Sequence, residues 1–482
     1  MTPGQPSRQP SRQNSKSGTE THAHMGQVIT ATQVVTSGVK PRRARTIMLL
    51  LAVSMGLLMT GYAITMPIFA RRLGELGSGV SALSMMSTAY ALAGIAASPF
   101  LGTLADRAGR RPLVLSSLFV FALANIGFLL AASTGALIVV RVVEGALSAG
   151  LMPAALGIVA DIAPQDKRAR WIGLVMGGAS AGWVLGPVAG GVLYDAWGFA
   201  APFLISAGMG FLAFGAAAFL IPETRPREVQ WRETLRRRRA SALAPAQAQS
   251  FWATLPRPLP TFIVLLFVSF VMFFAWSFFE PQLLFFVFDD LGWTTAQFGI
   301  AAGGYGLAAV LGQTVFGQAG DKFGRKRPIV VGLFLFSVQF AALIFTDSVG
   351  VAMLIFTVAG FGEGLVTPAL GAFFLDISEE QHRSRVVGIQ GAAGSLGGVV
   401  GPLLAAATTR FMLPRDAFVG SIVVVLFGAL LALVVLRNPG RVGVEETDGA
   451  WQVSGVRAMA AQASLRGVVS SAVAARRLKD VS

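Results

Sequence analysis

The chain has 482 residues, 54% of them hydrophobic and only 13% charged, with a mean hydropathy of +0.65. That balance excludes an ordinary soluble globular protein and indicates a polytopic membrane protein. The formal charge of +15 has the sign that nucleic acid attracts, but its placement argues against such a partner, and the chain has no cysteine for a disulfide framework.

In chain order, residues 1–45 are polar, basic and rich in Ser, Gln and Pro. They lack the short apolar core and cleavage site of a signal peptide and read as a disordered cytoplasmic tail. Apolar stretches of roughly 20 residues, enough to cross a bilayer, then recur about twelve times. They are predicted near 46–70, 83–104, 112–132, 135–160, 171–193 and 199–221, then near 260–286, 296–318, 328–346, 350–375, 386–408 and 417–437. In lipid each backbone N–H and C=O needs an internal partner, so each span is a helix. The first six form one half over 46–221 and the last six another over 260–437. Residues 222–259 between them are basic, polar and bounded by proline, as a cytoplasmic linker would be, and Trp231 and Leu235 allow part of it to be an interfacial helix. Residues 438–482 form a second cytoplasmic tail, in which the segment from Val456 reads equally as a basic amphipathic helix or as disordered.

Walking the spans, one face of the membrane receives Lys40, Arg42, Arg43, Arg45, Arg107, Arg110, Arg111, Lys167, Arg168, Arg170 and the basic linker, while the other has little beyond Arg71, Arg72, Arg410 and Arg415. This asymmetry follows the positive-inside rule and places both termini in the cytoplasm, with the chain in the cell membrane.

The two halves are repeats. "GTLADRAGRRP" at 102–112 returns as "GQAGDKFGRKRP" at 317–328, and Asp106 maps onto Asp321 at an offset of 215. The same offset carries Pro153 to Pro368, Asp161 to Asp376, Arg168 to Arg383, Gly186 to Gly401 and Pro187 to Pro402. A parallel duplication of six helices is a transporter architecture, with the substrate site between the halves near the midplane.

The duplicated loop resembles that of the major facilitator superfamily, and the resemblance covers everything but the tails. The first copy is Gly102, Asp106, Arg107, Gly109, Arg110 and Arg111; the second is Gly317, Asp321, Lys322, Gly324, Arg325 and Lys326. The resemblance implies an all-α fold of twelve transmembrane helices in two pseudo-symmetric halves that rock about a central site. It also implies that Asp106 and Arg110 form a latch against span eleven, holding the cytoplasmic side shut. A plain topogenic basic loop is the alternative.

In span five, Gly178, Gly182, Gly186 and Gly190 recur every four residues and so line one face of the helix, where a neighbour can approach closely. Gly182, Gly186, Pro187, Gly190 and Gly191 resemble the family's antiporter motif. The second half keeps Gly397, Gly401 and Pro402 but not the terminal glycine pair, which favours export. "GASAG" in the same span matches a hydrolase nucleophile elbow, but it lies inside a helix with no suitable acid and histidine, and no phosphate-binding loop occurs anywhere. No enzymatic activity, cofactor or metal is expected.

Span four carries Arg141 and Glu144 in an otherwise apolar run. An ionisable residue at mid-helix costs on the order of 2.5–3.5 kcal/mol, so it should face a partner or a cavity. Three residues apart, the two share a face and can pair. The family's motif here has arginine, then a polar residue that is commonly glutamine, then glycine, so Glu144 departs from it. Glu280 in span seven and Glu363 in span ten are the other intramembrane acids. Burial disfavours a carboxylate's charged form, which suits a proton carrier. Tyr62 in span one and Tyr305 in span eight are candidate polar contacts with a ligand. The seven aromatic residues between Phe267 and Phe279 are too dense for one face, so some meet lipid and some the cavity.

The expected function is proton-coupled export of small, largely apolar or cationic compounds, resembling the drug:proton antiporter branch of multidrug and tetracycline-type efflux. A dedicated exporter of one metabolite, sugar or siderophore is the rival, and a non-transporting sensor or assembly factor a remote one. The expected partners are substrate, protons and the bilayer, with the chain a monomer.

Overall fold

The computed structural model describes residues 41–164, 167–224, 255–316, 324–437, 444–447 and 450–453. Within them, twelve helices are long and apolar enough to cross a membrane. They are α1 (Ala44–Glu75), α2 (Val80–Leu104), α3 (Arg110–Leu130), α4 (Thr134–Ile162), α5 (Arg170–Trp197) and α6 (Ala200–Leu220), followed by α7 (Leu259–Asp290), α8 (Thr295–Val315), α9 (Lys326–Phe345), α10 (Val349–Asp376), α11 (Arg383–Thr408) and α12 (Pro414–Val435). The helix α1 runs beyond its predicted end, because Arg71 to Glu75 continue the helix where hydropathy has already fallen. The helix α4 is interrupted between Ser148 and Leu151. A Cβ on Gly150 would lie 2.9 Å from the Leu113 side chain, so the break lies where α4 presses on α3.

After α12 comes a short antiparallel hairpin, β1 (Val444–Thr447) and β2 (Ala450–Val453), with Val444 opposite Val453. It precedes the segment from Val456 for which helix and disorder were weighed, and no strand was expected there. The N-terminal tail before residue 41, most of the linker and the segment from Val456 lie outside the described residues.

The glycine stripe does what its spacing predicted. A Cβ on Gly178 would sit 2.2 Å from the Ala52 carbonyl oxygen, on Gly182 2.6 Å from that of Gly56, and on Gly190 2.3 Å from that of Ile64, while Gly186 would strike Ala63 at 2.5 Å. Backbone thus lies on backbone along α1 and α5, and any side chain would force them apart. Gly397 and Gly401 repeat the arrangement of α11 on α7, 2.3 Å from the Phe270 oxygen and 2.8 Å from the Phe274 oxygen. The 215-residue offset also maps the approach of Gly145 to the Tyr90 oxygen, 2.4 Å, onto that of Gly360 to the Tyr305 oxygen, 2.2 Å. Each half therefore seats α4 or α10 on α2 or α8 at the same tyrosine.

The halves meet through α5 with α8 and α2 with α11. On the first seam Gly191 would meet the Thr295 oxygen at 2.3 Å and Gly299 the Pro187 oxygen at 2.2 Å. At the end of the bundle away from the termini, the Asp195 carboxylate accepts from the Ala296 backbone N–H at 2.7 Å, capping α8. Arg71 at the end of α1 donates to the Trp293 carbonyl at 2.6 Å and lies 4.2 Å from the Phe288 ring. One apolar core joins both halves there, through Ile68, Phe69, Phe128, Leu283, Phe286 and Phe298. The core nearer the termini, from Ile47 to Ile221, belongs to the first half alone.

If the halves rock, this far-end seam must part once per cycle. Cysteines placed at Asp195 and Ala296 of the naturally cysteine-free chain are expected to be joined by a short bifunctional thiol reagent and to stop transport. Undiminished transport by fully cross-linked protein would show that the seam never opens.

Candidate functional site

The motif residues at the termini end build two matching clusters. Gly109 and Gly324 both have the left-handed backbone that glycine favours, φ +100° and +81°, and both open a turn into the next span. Just beyond them, Arg110 pairs with Asp161 at 2.7 Å and Arg325 with Asp376 at 3.0 Å. Arg110 and Arg325, like Asp161 and Asp376, are related by the 215 offset, so the duplication preserves an ion pair as well as a motif. In the first half the Glu223 carboxylate accepts from the backbone N–H groups of Arg110 and Arg111 at 3.2 and 3.3 Å, and Thr224 donates to Asp161 at 3.0 Å. Arg111 donates to the Ala218 carbonyl at 2.6 Å.

Arg110 thus pairs with an acid of its own half, Asp161, where the expected latch would set it and Asp106 against span eleven. The side chains of Asp106 and Arg107, and residues 317–323 with Asp321, lie outside the described residues. Gly102 is helical with open space around it, so it is not a turn residue. Of the antiporter-motif residues, Gly182, Gly186 and Gly190 face α1, while Gly191 faces α8 and Pro187 offers its carbonyl to Gly299 there.

At the centre, α4 turns Arg141 and Glu144 inward. Their side chains are 7% and 3% exposed and pair at 2.6 Å, as the three-residue spacing predicted. The guanidinium is also enclosed by aromatic rings: Tyr90 at 4.7 Å, Tyr62 at 4.8 Å, Phe69 at 5.0 Å and Phe128 at 5.9 Å. Ring faces and a carboxylate together replace the hydration that the cation loses. Tyr62 extends the aromatic cluster to Trp183, with centroids 5.5 Å apart.

Across the seam, Arg141 is the cation whose field reaches Glu280 of α7, and Glu280 acts in turn on Tyr62. The third acid is apart. Glu363 on α10 accepts a short hydrogen bond from the Tyr305 hydroxyl, and the Tyr305 ring stacks on Trp276 at 5.8 Å and 22°. The structure therefore divides the predicted residues into a first-half group of Arg141, Glu144 and Tyr62, a second-half group of Glu363 and Tyr305, and Glu280 coupled to the first.

On α7, Phe273 is exposed, while Phe270, Phe274 and Phe278 stack in a ladder with successive centroids 5.4 and 5.7 Å apart, and Phe274 and Phe278 are buried in an apolar cluster with Ala405 and Ala417. Sequence reasoning missed Tyr90, Phe69, Phe128 and Glu223. Tyr90 was within reach, since it lies 215 residues before Tyr305.

Comparison with known proteins settles the family. The Major Facilitator Superfamily model matches residues 49–288 and 265–475. The chain belongs to that family. Among curated relatives, it is 26% identical over 379 residues to the quinolone resistance protein NorA of Staphylococcus aureus, covering 78% of this chain and 93% of NorA. It is 28% identical over 396 residues to the multidrug resistance protein MdtG of Klebsiella pneumoniae, covering 80% and 92%. Among solved structures, a bacterial homologue of the human lysosomal transporter Spinster, inward-facing and occupied, matches with TM-score 0.66 at 18% identity over 82% of this chain and 97% of that one. A D-xylose–proton symporter matches with TM-score 0.63 at 15% identity over 81% and 98%. The chain is thus a multi-pass membrane transporter of the superfamily, moving a small molecule through a bilayer.

Proposed function

We propose that this transporter exchanges protons for small, largely apolar or cationic compounds and drives their export by alternating access. The observation that carries the reading is the buried Arg141–Glu144 pair, caged by aromatic rings from three helices. A scaffold needs no such pair, because Arg141 maps onto Phe356 and Glu144 onto Ala359 in the other half. An intramembrane pair whose carboxylate can gain a proton gives the two halves a reason to change their attraction during a cycle. The drug-resistance roles named for NorA and MdtG support compounds of that class. The duplicated basic loops support both termini in the cytoplasm, with the far-end seam then closed toward the outside.

The test is collapse of a preset proton gradient in inverted vesicles on addition of compounds from a chemically varied panel. Collapse with many apolar cations is expected. Collapse with one compound alone would mark a dedicated exporter, and collapse with none would defeat the reading.

A further inference from the structure

The internal repeat makes the two seams between the halves comparable at the end away from the termini. On the α5–α8 seam, two side chains of the first half hold main chain of the second. Arg71 donates to the Trp293 carbonyl at 2.6 Å, and the Asp195 carboxylate accepts from the Ala296 N–H at 2.7 Å. The carboxylate thus lies at the N-terminus of α8, where the helix dipole favours an anion. Arg71 has no acidic partner among the described residues, and its guanidinium serves that carbonyl and the Phe288 ring.

The α2–α11 seam has neither contact. At the offset of 215, Asp195 becomes Arg410 and Arg71 becomes Phe286, while Trp293 and Ala296 become Ser78 and Ser81. Arg410 is exposed, with no hydrogen bond or ion pair among the described residues, and Gly79 leaves the N-terminus of α2 without a side-chain cap. A cation cannot take over the part of Asp195 there, because the dipole that favours an anion disfavours it.

The fastened seam also encloses groups that oppose its closure. Trp293 and Thr295 are 2% and 0% exposed, and neither the indole N–H nor the hydroxyl has a hydrogen-bond partner among the described residues. A buried polar group without a partner is costly, and parting α5 from α8 would bring both to water.

We infer that the gate at this end is a balance set on one seam: Arg71 and Asp195 latch α8 to the first half, the unpartnered groups of Trp293 and Thr295 oppose them, and the α2–α11 seam carries no polar latch. The latch grips main chain, so only the two first-half side chains can release it. The inference goes beyond the export reading and holds for any cargo.

The chain has no cysteine, and the Val188 side chain lies over Gly303 on the latched seam, 2.4 Å from where a Cβ there would sit. Val188→Cys is therefore a reporter of opening. Its labelling rate is measured in intact cells with a membrane-impermeant thiol reagent added outside. Asp195→Ala and Arg71→Ala should each speed labelling by about tenfold or more, the scale of one lost hydrogen bond to a charged group. Asp195→Asn, which keeps an acceptor, should fall between Asp195→Ala and the parent. Thr295→Val, which keeps the shape and removes the buried hydroxyl, should slow labelling, and Arg410→Ala should leave it unchanged. A cysteine at Ala155, buried in the first-half core, should stay unlabelled in every variant, so that a faster rate at 188 reports the seam and not a loosened bundle. Unchanged labelling in both Asp195→Ala and Arg71→Ala, equal acceleration by Arg410→Ala, acceleration by Thr295→Val, or equal acceleration at 155 would each overturn the inference.

Discussion

Arg141→Ala is expected to destabilise the folded chain by about 3–5 kcal/mol, the usual cost of stripping one partner from a buried ion pair. The reason is Glu144. Its side chain is 3% exposed, and Arg141 is its ion-pair partner at 2.6 Å. Without the guanidinium, the carboxylate must either remain charged in an apolar surround or take up a proton. The aromatic cage adds to the loss, because Tyr62, Tyr90 and Phe69 all lie within 5.0 Å of the guanidinium carbon and would close on a cavity. Thermal unfolding in detergent provides the measure. The double variant Arg141→Ala with Glu144→Ala should recover a substantial part of the loss, since no charge is then left unpaired. Losses that simply add in the double variant would mean the two side chains act independently.

The second large effect belongs to one glycine and spares its neighbour. Gly178→Leu places a Cβ 2.2 Å from the Ala52 carbonyl oxygen, where backbone on α1 has nowhere to retreat, whereas a Cβ on Gly177 meets nothing within 4 Å. Gly178→Leu should cost about 3 kcal/mol or more, at or beyond the upper end of overpacking, and leave little folded protein in membranes. Gly177→Leu should fall within about 0.5 kcal/mol of wild type, as exposed substitutions usually do. Comparable yields of monodisperse protein from the two variants would remove the stripe from the account of how α1 and α5 pack.

These two sites differ in how far the sequence announced them. The glycines at 178, 182, 186 and 190 lie four apart, so their common face follows from helix geometry alone, and the structure puts α1 on it. The twelve spans were legible for a similar reason, since hydropathy over roughly 20 residues leaves little choice of structure in lipid. The pairing of Arg141 with Glu144 followed from their spacing, but the rings around Arg141 did not, because they come from α1, α2 and α3 and meet only when the bundle closes. Asp161 shows the same limit. Its duplication at Asp376 was plain, yet its partner Arg110 lies a whole helix away in the sequence, so nothing local announced the pair. The hairpin at Val444–Val453 precedes the segment for which helix and disorder were weighed, and the Asp448-Gly449 pair between its strands is the local signal that could have found it.

The duplication is what turns these placements into an argument about function. The turn glycines Gly109 and Gly324, the ion pairs Arg110–Asp161 and Arg325–Asp376, and the tyrosines Tyr90 and Tyr305 each appear twice, as parts of a scaffold that both halves need. Arg141, Glu144, Glu280 and Glu363 have no acidic or basic counterparts at the 215 offset: Phe356, Ala359, Thr65 and Ser148 stand in their places for Arg141, Glu144, Glu280 and Glu363 respectively. On this account the unpaired set performs the one job that is not symmetric, the exchange of proton for cargo.

The most direct measurement compares two modes of transport in vesicles carrying equal amounts of wild-type and Glu144→Gln protein. One is accumulation of a transported compound driven by a proton gradient; the other is exchange of that compound for itself with no gradient. The account predicts that Glu144→Gln loses the accumulation and keeps the exchange, because the halves still rock and the cargo still binds but no proton is handled at that position. Gradient-driven accumulation at the wild-type level would contradict it, and would reduce Arg141 and Glu144 to an ion pair that only holds α4 in place.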